Sequence, residues 1–343
     1  MKILLFLITI IVLLLATFLV AFKPIIAFAK VLLLVTQEFP QIPFKPLHSI
    51  TPKPKLEKVK FGSSVDGQKF VGDLFIPKAP SDAAKGDNKK PALIVAMGVK
   101  TSDKDRPIIL GFCETLARLG YIVLWPRLET LEKDIVEFEE PQTFIDAFSL
   151  LEEKDDVNKN RISYVGFSVG SSLALVAAED KKINKKVRSV VFFGGYYNIL
   201  YYLSALSTKT LILDKKTIKW KPHESAIDQA QEILKKEGLT LMQFDGKDTL
   251  DPDLTNRLLR FSPHENLRNL KAKVFILHEK SDAFVPYAES VKLKQALEQR
   301  GISTVYHQAN LFEHVQPKKG VSYEIIKEFL GLFRFLYSVF INL

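Results

Sequence analysis

The stretch Ile162-Ser163-Tyr164-Val165-Gly166-Phe167-Ser168-Val169-Gly170-Ser171-Ser172-Leu173-Ala174-Leu175-Val176-Ala177-Ala178 changes character at a single residue, Ser168. Before it lies a short apolar run, Ile162 to Val165, of the kind that forms a buried strand. After it, Ser172 to Ala178 reads as helix. Joining the two around Ser168 takes a sharp, strained turn, which is the context of a G-x-S-x-G nucleophile elbow. Small residues are required two positions to either side, and Gly166 and Gly170 supply them. The following helix points its N-terminus at the serine, and the Val169 amide is a candidate oxyanion donor. A plain strand-to-helix turn with no chemistry is the alternative.

Outward from this turn the pattern alternates. The apolar run Ala92 to Ala96, a helix near Ile108 to Leu119, a strand Tyr121 to Trp125 and a helix near Gln142 to Glu153 precede a strand over Arg161 to Val165. A helix from about Val169 to Ala178 and a strand Ser189 to Phe193 follow. A strand Ala272 to His278, a helix near Tyr287 to Gln299, a strand Thr304 to His307 and a terminal helix from about Ser322 complete the series. Such alternation predicts an α/β fold with a mostly parallel sheet and helices on both faces. Val59 to Ser64 and Lys69 to Ile76 flank Asp66-Gly67 and predict an antiparallel hairpin. The segment of about 196–262 interrupts the alternation. Its best-formed piece, Glu224 to Lys236, reads as an amphipathic helix, so an inserted cap over the strand ends is expected.

Gly166 to Gly170 in that context, and Val274-Phe275-Ile276-Leu277-His278-Glu279-Lys280-Ser281-Asp282 followed by Val285-Pro286, resemble the α/β-hydrolase superfamily. The resemblance is to its bacterial dienelactone-hydrolase-like and prolyl-oligopeptidase-like branches, and it covers roughly Val59 to Leu330 in order of elements. It implies Ser168 as nucleophile, an acid after the strand that follows the cap, and a histidine after the last strand. Asp282 and His314 occupy those places. His264 is the strongest rival to His314; His278 and His307 lie too close to their strands. The resemblance also places a second oxyanion donor after the strand Ala92 to Ala96. There Met97-Gly98-Val99 replaces the His-Gly frequent in relatives, leaving the backbone N–H of Gly98 or Val99 for the task. Ser171 and Glu279 each replace a glycine common in relatives.

No cofactor is expected. The histidines are dispersed, with no His-x-x-x-His and no cysteine pair, so no metal site is expected, and no Gly-rich phosphate loop is present. The formal charge of +9 does not signal nucleic acid, because no binding motif accompanies it. Its lysines are most frequent just after an apolar N-terminus: Lys23, Lys30, Lys45, Lys53, Lys55, Lys58 and Lys60 stand against Glu38 and Glu57. A basic segment beside anionic lipid accounts for them. Cys113, the single cysteine, is expected to be a buried, inert thiol. Tyr196, Tyr197, Tyr201 and Tyr202 pack cap on core or line an acyl or aromatic pocket.

Ile3 to Phe22 carries no charge and only Thr9 and Thr17 as polar side chains, long enough to cross a ~30 Å hydrocarbon core. A cleavable signal ending near Ala27-Phe28-Ala29 is the rival reading, but the run is longer than a usual h-region. The expected organisation is a membrane anchor and interfacial segment over 1–35, a proline-rich spacer over 36–58, and a hydrolase domain over 59–343. Ile25 to Val35 is too short to span and is expected to lie at the interface or extend the anchor. Flanking charges leave the domain's side of the membrane open, with the extracytoplasmic side preferred. The expected function is a single-pass membrane serine hydrolase that cleaves an ester or related acyl bond of a small-molecule substrate. The alternatives are an acyl transferase or peptidase of the same fold, or a catalytically silent binding protein.

Overall fold

The computed structural model describes residues 22–40, 42–62, 69–78, 89–98, 105–127, 140–236, 238–246, 250–317 and 323–343. Its centre is an eight-stranded sheet. The strands are β1 (Lys55–Phe61), β2 (Phe70–Ile76), β3 (Lys90–Ala96), β4 (Ile122–Arg127), β5 (Val157–Phe167), β6 (Val187–Phe193), β7 (Lys273–Glu279) and β8 (Thr304–Ala309). They lie in the order β1-β2-β4-β3-β5-β6-β7-β8. β1 and β2 form an antiparallel hairpin, β2 is antiparallel to β4, and every other neighbouring pair is parallel.

The continuous apolar runs are explained by burial on both faces. Ala92, Ile94 and Ala96 of β3 join Ile122 and Leu124 of β4 on one face. There they meet Phe144 and Phe148 of α2 (Glu140–Glu153), Leu173 and Ala174 of α3 (Val169–Glu179), and Leu293 of α7 (Ala288–Gln299). Leu93, Val95, Val123 and Trp125 point the other way, towards Cys113 and Leu116 of α1 (Arg106–Arg118) and Phe335 and Val339 of α8 (Tyr323–Phe340). Burial, with the charges of Asp73 and Glu38 adding to it, pushes the Cys113 thiol up, as suits an inert packing residue.

Between β6 and β7 the chain builds the cap from α4 (Ile199–Thr208), a small hairpin, α5 (Glu224–Lys236) and α6 (Pro252–Leu259). Asn198 caps α4 by accepting from the amides of Leu200 and Tyr201. Leu203, Leu206, Ala226, Ala230, Leu234, Leu241 and Phe244 form a separate apolar cluster inside the cap.

At three places the structure shifts or adds to what the sequence led one to expect. β1 runs over Lys55–Phe61 rather than Val59 to Ser64, because the strand begins as soon as Pro54 is passed and ends at Gly62, which takes φ +50°. The turn Asp66-Gly67 lies outside the described residues. Ile25 to Val35 belongs to a helix over 22–38 whose Ala27, Val31, Leu34 and Val35 are buried against the α1/α8 face of the domain. Within residues 36–58, Lys45 ties the segment to itself, and Leu47 and Thr51 make contact with the domain. Lys45 Nζ donates to the carbonyls of Thr36, Gln37 and Phe39, each at 2.9 Å, Leu47 is fully buried, and Arg118 donates to the Thr51 carbonyl at 2.6 Å. Among the described residues no helix is long and apolar enough to cross a membrane. The run Ile3 to Phe22 lies outside them except for its last residue.

Candidate active site

Ser168 sits between the end of β5 and the first turn of α3 at φ 53°, ψ −136°. A positive φ in a non-glycine residue costs about 1–3 kcal/mol and needs surroundings that enforce it. Here the Ser168 amide donates to the Phe193 carbonyl of β6 at 2.8 Å, and its own carbonyl accepts from the Ser171 amide at 2.9 Å. A Cβ on Gly166 would be driven into the Ser171 backbone, and one on Gly170 into the carbonyls of Met97 and Ala96. Both glycines are therefore demanded by close approach, as the turn reading requires. Ser171, in place of a glycine, donates its hydroxyl to the Ser168 carbonyl at 2.6 Å and so adds to the brace.

Asp282 follows β7 and His314 follows β8, adjacent parallel strands that both end at the Ser168 edge of the sheet. His314 Nε2 lies 2.8 Å from Ser168 Oγ, and its Nδ1 lies 2.6 Å from Asp282 Oδ2. Because the carboxylate only accepts, Nδ1 carries the proton and Nε2 presents its lone pair to the serine hydroxyl. The second oxygen of Asp282, Oδ1, accepts from the amides of Phe284 at 2.7 Å and Val285 at 3.0 Å. Burial alone would raise the Asp282 carboxyl. The charge of His314 and hydrogen bonds from His278 and His314 outweigh that and hold it well below the usual carboxylate range.

Two contributors were not singled out by the sequence. His278 is fully buried at the end of β7; its Nε2 meets the Val285 carbonyl at 3.0 Å and Asp282 Oδ2 at 3.4 Å. Since the carbonyl accepts only, that nitrogen carries hydrogen and faces both acceptors. Glu279, flagged only as a replaced glycine, is 1% exposed. It accepts from the Ser281 hydroxyl at 2.8 Å and from the Phe312 amide at 2.8 Å. One carboxylate thus ties the loop of Asp282 to the loop of His314. The available signal was the placement of two polar residues where a strand end should be apolar.

The cap closes over this constellation. Phe284 stacks on the His314 ring at 4.9 Å, and His223 stacks on Phe284 at 4.8 Å. Trp220 Nε1 donates to the Asp282 carbonyl at 2.9 Å. Gly194, at φ +66°, adopts a backbone conformation that suits glycine, beside Val315 and the His314 ring. His264 lies elsewhere, paired with Glu265 at 3.1 Å and edge-on to Tyr197. His307 packs beside Phe335.

For the oxyanion, the Val169 amide opens α3, where N–H groups have no partner within the helix. Gly98 lies against Ser168, close enough that an added Cβ would meet Ser168 Cβ at 2.9 Å. Val99 lies outside the described residues. Beside the serine a cavity of about 100 Å³ opens between Val169 and the cap, lined by Tyr196, Ile199, Tyr202, Leu203 and Phe261 among others. Tyr196 and Tyr202 stack in parallel, 5.6 Å apart, as part of its wall. Tyr197 is buried in the core, whereas Tyr201 is half exposed beneath Lys292. Among the described residues no cluster of metal-binding side chains occurs.

No family model matches this chain, and no curated protein matches it in sequence. Solved structures do. The chain is similar to Pyrococcus horikoshii acylaminoacyl peptidase, with TM-score 0.51, 14% identity, and coverage of 85% of this chain and 41% of that one. It is similar to a Mycobacterium tuberculosis puromycin-hydrolyzing peptidase, with TM-score 0.55, 14% identity, and coverage of 88% and 39%. It is also similar to 2,6-dihydroxy-pseudo-oxynicotine hydrolase, with TM-score 0.52, 17% identity, and coverage of 84% and 68%. The chain thus spans about two fifths of the length of the two peptidases. With its strand order, its serine at the strand-to-helix turn and these neighbours, the chain has the α/β-hydrolase fold.

Proposed function

We propose that this chain is a serine hydrolase that cleaves an ester or related acyl bond through an acyl-enzyme. The observation that carries the reading is the continuous chain Ser168 Oγ, His314 Nε2, His314 Nδ1, Asp282 Oδ2, with gaps of 2.8 and 2.6 Å. Ser168 Oγ attacks the acyl carbon while His314 takes the hydroxyl proton and Asp282 steadies the imidazolium. His314 then gives that proton to the leaving group. Water, activated by His314, attacks the acyl-enzyme, and the proton returns to Ser168. The amides of Val169 and Gly98 or Val99 hold the developing oxyanion.

Among the described residues, none with a charged side chain lines the cavity beside Val169. It therefore suits an uncharged apolar group of the substrate. A cavity of ~150 Å³ accepts benzene, so about 100 Å³ corresponds to a short acyl chain or a compact ring. An amide-cleaving peptidase of the same mechanism is compatible with this site, and the solved neighbours named peptidases favour keeping it as the second reading. A silent binding protein would be favoured by a His314 out of reach of Ser168, and the 2.8 Å separation supports the hydrolase reading instead.

We further propose that Ile3 to Phe22 tethers the protein to a membrane. The support is the uncharged run itself. Stopped-flow turnover of p-nitrophenyl acyl esters tests the hydrolase reading: a burst of nitrophenol equal to the enzyme, absent in Ser168→Ala, is expected. Steady turnover undiminished in folded Ser168→Ala protein overturns it. Resistance of the full chain to carbonate extraction tests the tether; release into the supernatant overturns that.

A further inference from the structure

The helix over 22–38 has two apolar faces. One, made by Ala27, Val31, Leu34 and Val35, is packed on the domain. The other leaves Ile25, Phe28 and Leu32 at 61, 52 and 49% exposure, with Phe22 and Ile26 beside them. A surface helix in water normally turns a polar face outward, and a helix apolar all round has apolar surroundings on every side. Along this helix only Lys23 and Lys30 carry charge before Glu38. Lys30 is drawn onto the Tyr121 ring at 3.9 Å, so the outer face keeps little charge of its own.

The apolar exposure stops partway along the helix. From Thr36 the residues turn polar, with Gln37 and Glu38, and the helix ends at Phe39. Phe39 packs on Phe312, two residues before His314, and on Phe329. Tyr121, by contrast, immediately precedes β4, at the opposite end of the parallel strands from Ser168. The helix therefore climbs from the far edge of the sheet to the catalytic edge, and its greasy outer face is confined to the far half. That half is continuous with the uncharged run Ile3 to Phe22.

We propose that the outer face of residues 22–32 lies in a lipid bilayer, immersed to the headgroup and acyl boundary, while the catalytic edge and cap remain in water. This rests on the membrane tether proposed above and adds a fixed orientation to it. Interfacial helices bury an apolar face about 5–10 Å deep, and flanking lysines reach back to the headgroups, the place Lys23 would take. The bilayer is favoured over a second copy of the chain because the apolar face runs straight into a segment long enough to span it. The domain would then be docked side-on by this helix rather than held at a distance by a loose linker.

Spin labelling tests the orientation in the full chain, reconstituted in vesicles of phosphatidylcholine and phosphatidylglycerol. The one native cysteine, Cys113, is fully buried, so labels can be placed at Phe28→Cys, Leu32→Cys and, on the cap, Met242→Cys, a site 80% exposed. At positions 28 and 32, collisions with oxygen should exceed those with a water-soluble nickel chelate, and at 242 the order should reverse. If the protein floats with vesicles but 28 and 32 behave like 242, the tether stands and the docking face is wrong. If 28 and 32 are shielded from both reagents, protein rather than lipid covers them, and the proposal also falls. Failure of the chain to float with vesicles overturns tether and orientation together.

Discussion

Asp282 is where the residue-scale energetics concentrate. Its carboxyl is held below the usual range in the native state, so it contributes stability that is fully present above about pH 4, its ordinary value in an unfolded chain. As pH falls further the unfolded chain takes up the proton first, and that stability is lost until the native carboxyl also protonates. Denaturant titrations at stepwise lower pH should therefore show a steeper acid loss for wild type than for Asp282→Asn. The same substitution leaves His314 without its acceptor and favours the wrong tautomer, so turnover should drop by about 10⁴-fold while binding of substrate changes little. Glu279 makes a separate prediction. Glu279→Ala unbinds Ser281 from Phe312 and loosens both catalytic loops, so kcat should fall on the order of tenfold or more with a smaller change in KM, and Glu279→Gln should restore part of it. Equal losses in the Ala and Gln variants would show that the carboxylate's acceptor bonds are not the cause. The meeting of Ser168, Asp282 and His314 was legible in the sequence because each stands just after a strand of the parallel sheet. His278 and Glu279 were not, since their roles exist only as contacts across turns that bring separate strand ends together.

At the scale of elements, the proposed function makes the elbow and the cap the parts on which activity should depend. Gly170→Ala drives a methyl into two backbone carbonyls that cannot swing aside, so a loss of about 1–3 kcal/mol is expected in urea unfolding, along with lower turnover. In the cap, Ala230 of α5 faces the cavity beside Val169. Filling it with Ala230→Phe should leave acetate esters turned over and lower kcat/KM for hexanoate esters by about tenfold or more, measured across a chain-length series. An unchanged profile in folded variant protein would exclude this cavity from substrate binding. The alternation of helices and parallel strands was readable because strands buried on both faces give unbroken apolar runs. The edge strand β1 was placed some residues late, because its exposed side interleaves lysines and hides the period. The fold of the cap was not readable beyond α5, whose charged face marks it as amphipathic; its other pieces are short and held by a local cluster.

Across the whole molecule, the sheet brings three distant parts of the chain to one edge, and the cap closes on that edge through Trp220, bonded to the Asp282 carbonyl, and His223, stacked on Phe284. The N-terminal helix, read from sequence as an interfacial continuation of an anchor, is built into the domain through one of its two apolar faces. Sequence periodicity does not distinguish a helix packed on protein from one packed on lipid, because both present apolar residues; only the placement of Val31 against the α1/α8 layer separates them. The central claim is that Ser168 is an activated nucleophile in a formed triad. Labelling the folded full chain with a fluorophosphonate, followed by peptide mapping, measures that directly. One adduct per chain on the peptide holding Ser168, abolished in Ser168→Ala and strongly slowed in His314→Ala, is the expected result. Absence of an adduct on folded wild-type protein, or labelling that survives Ser168→Ala, would contradict it.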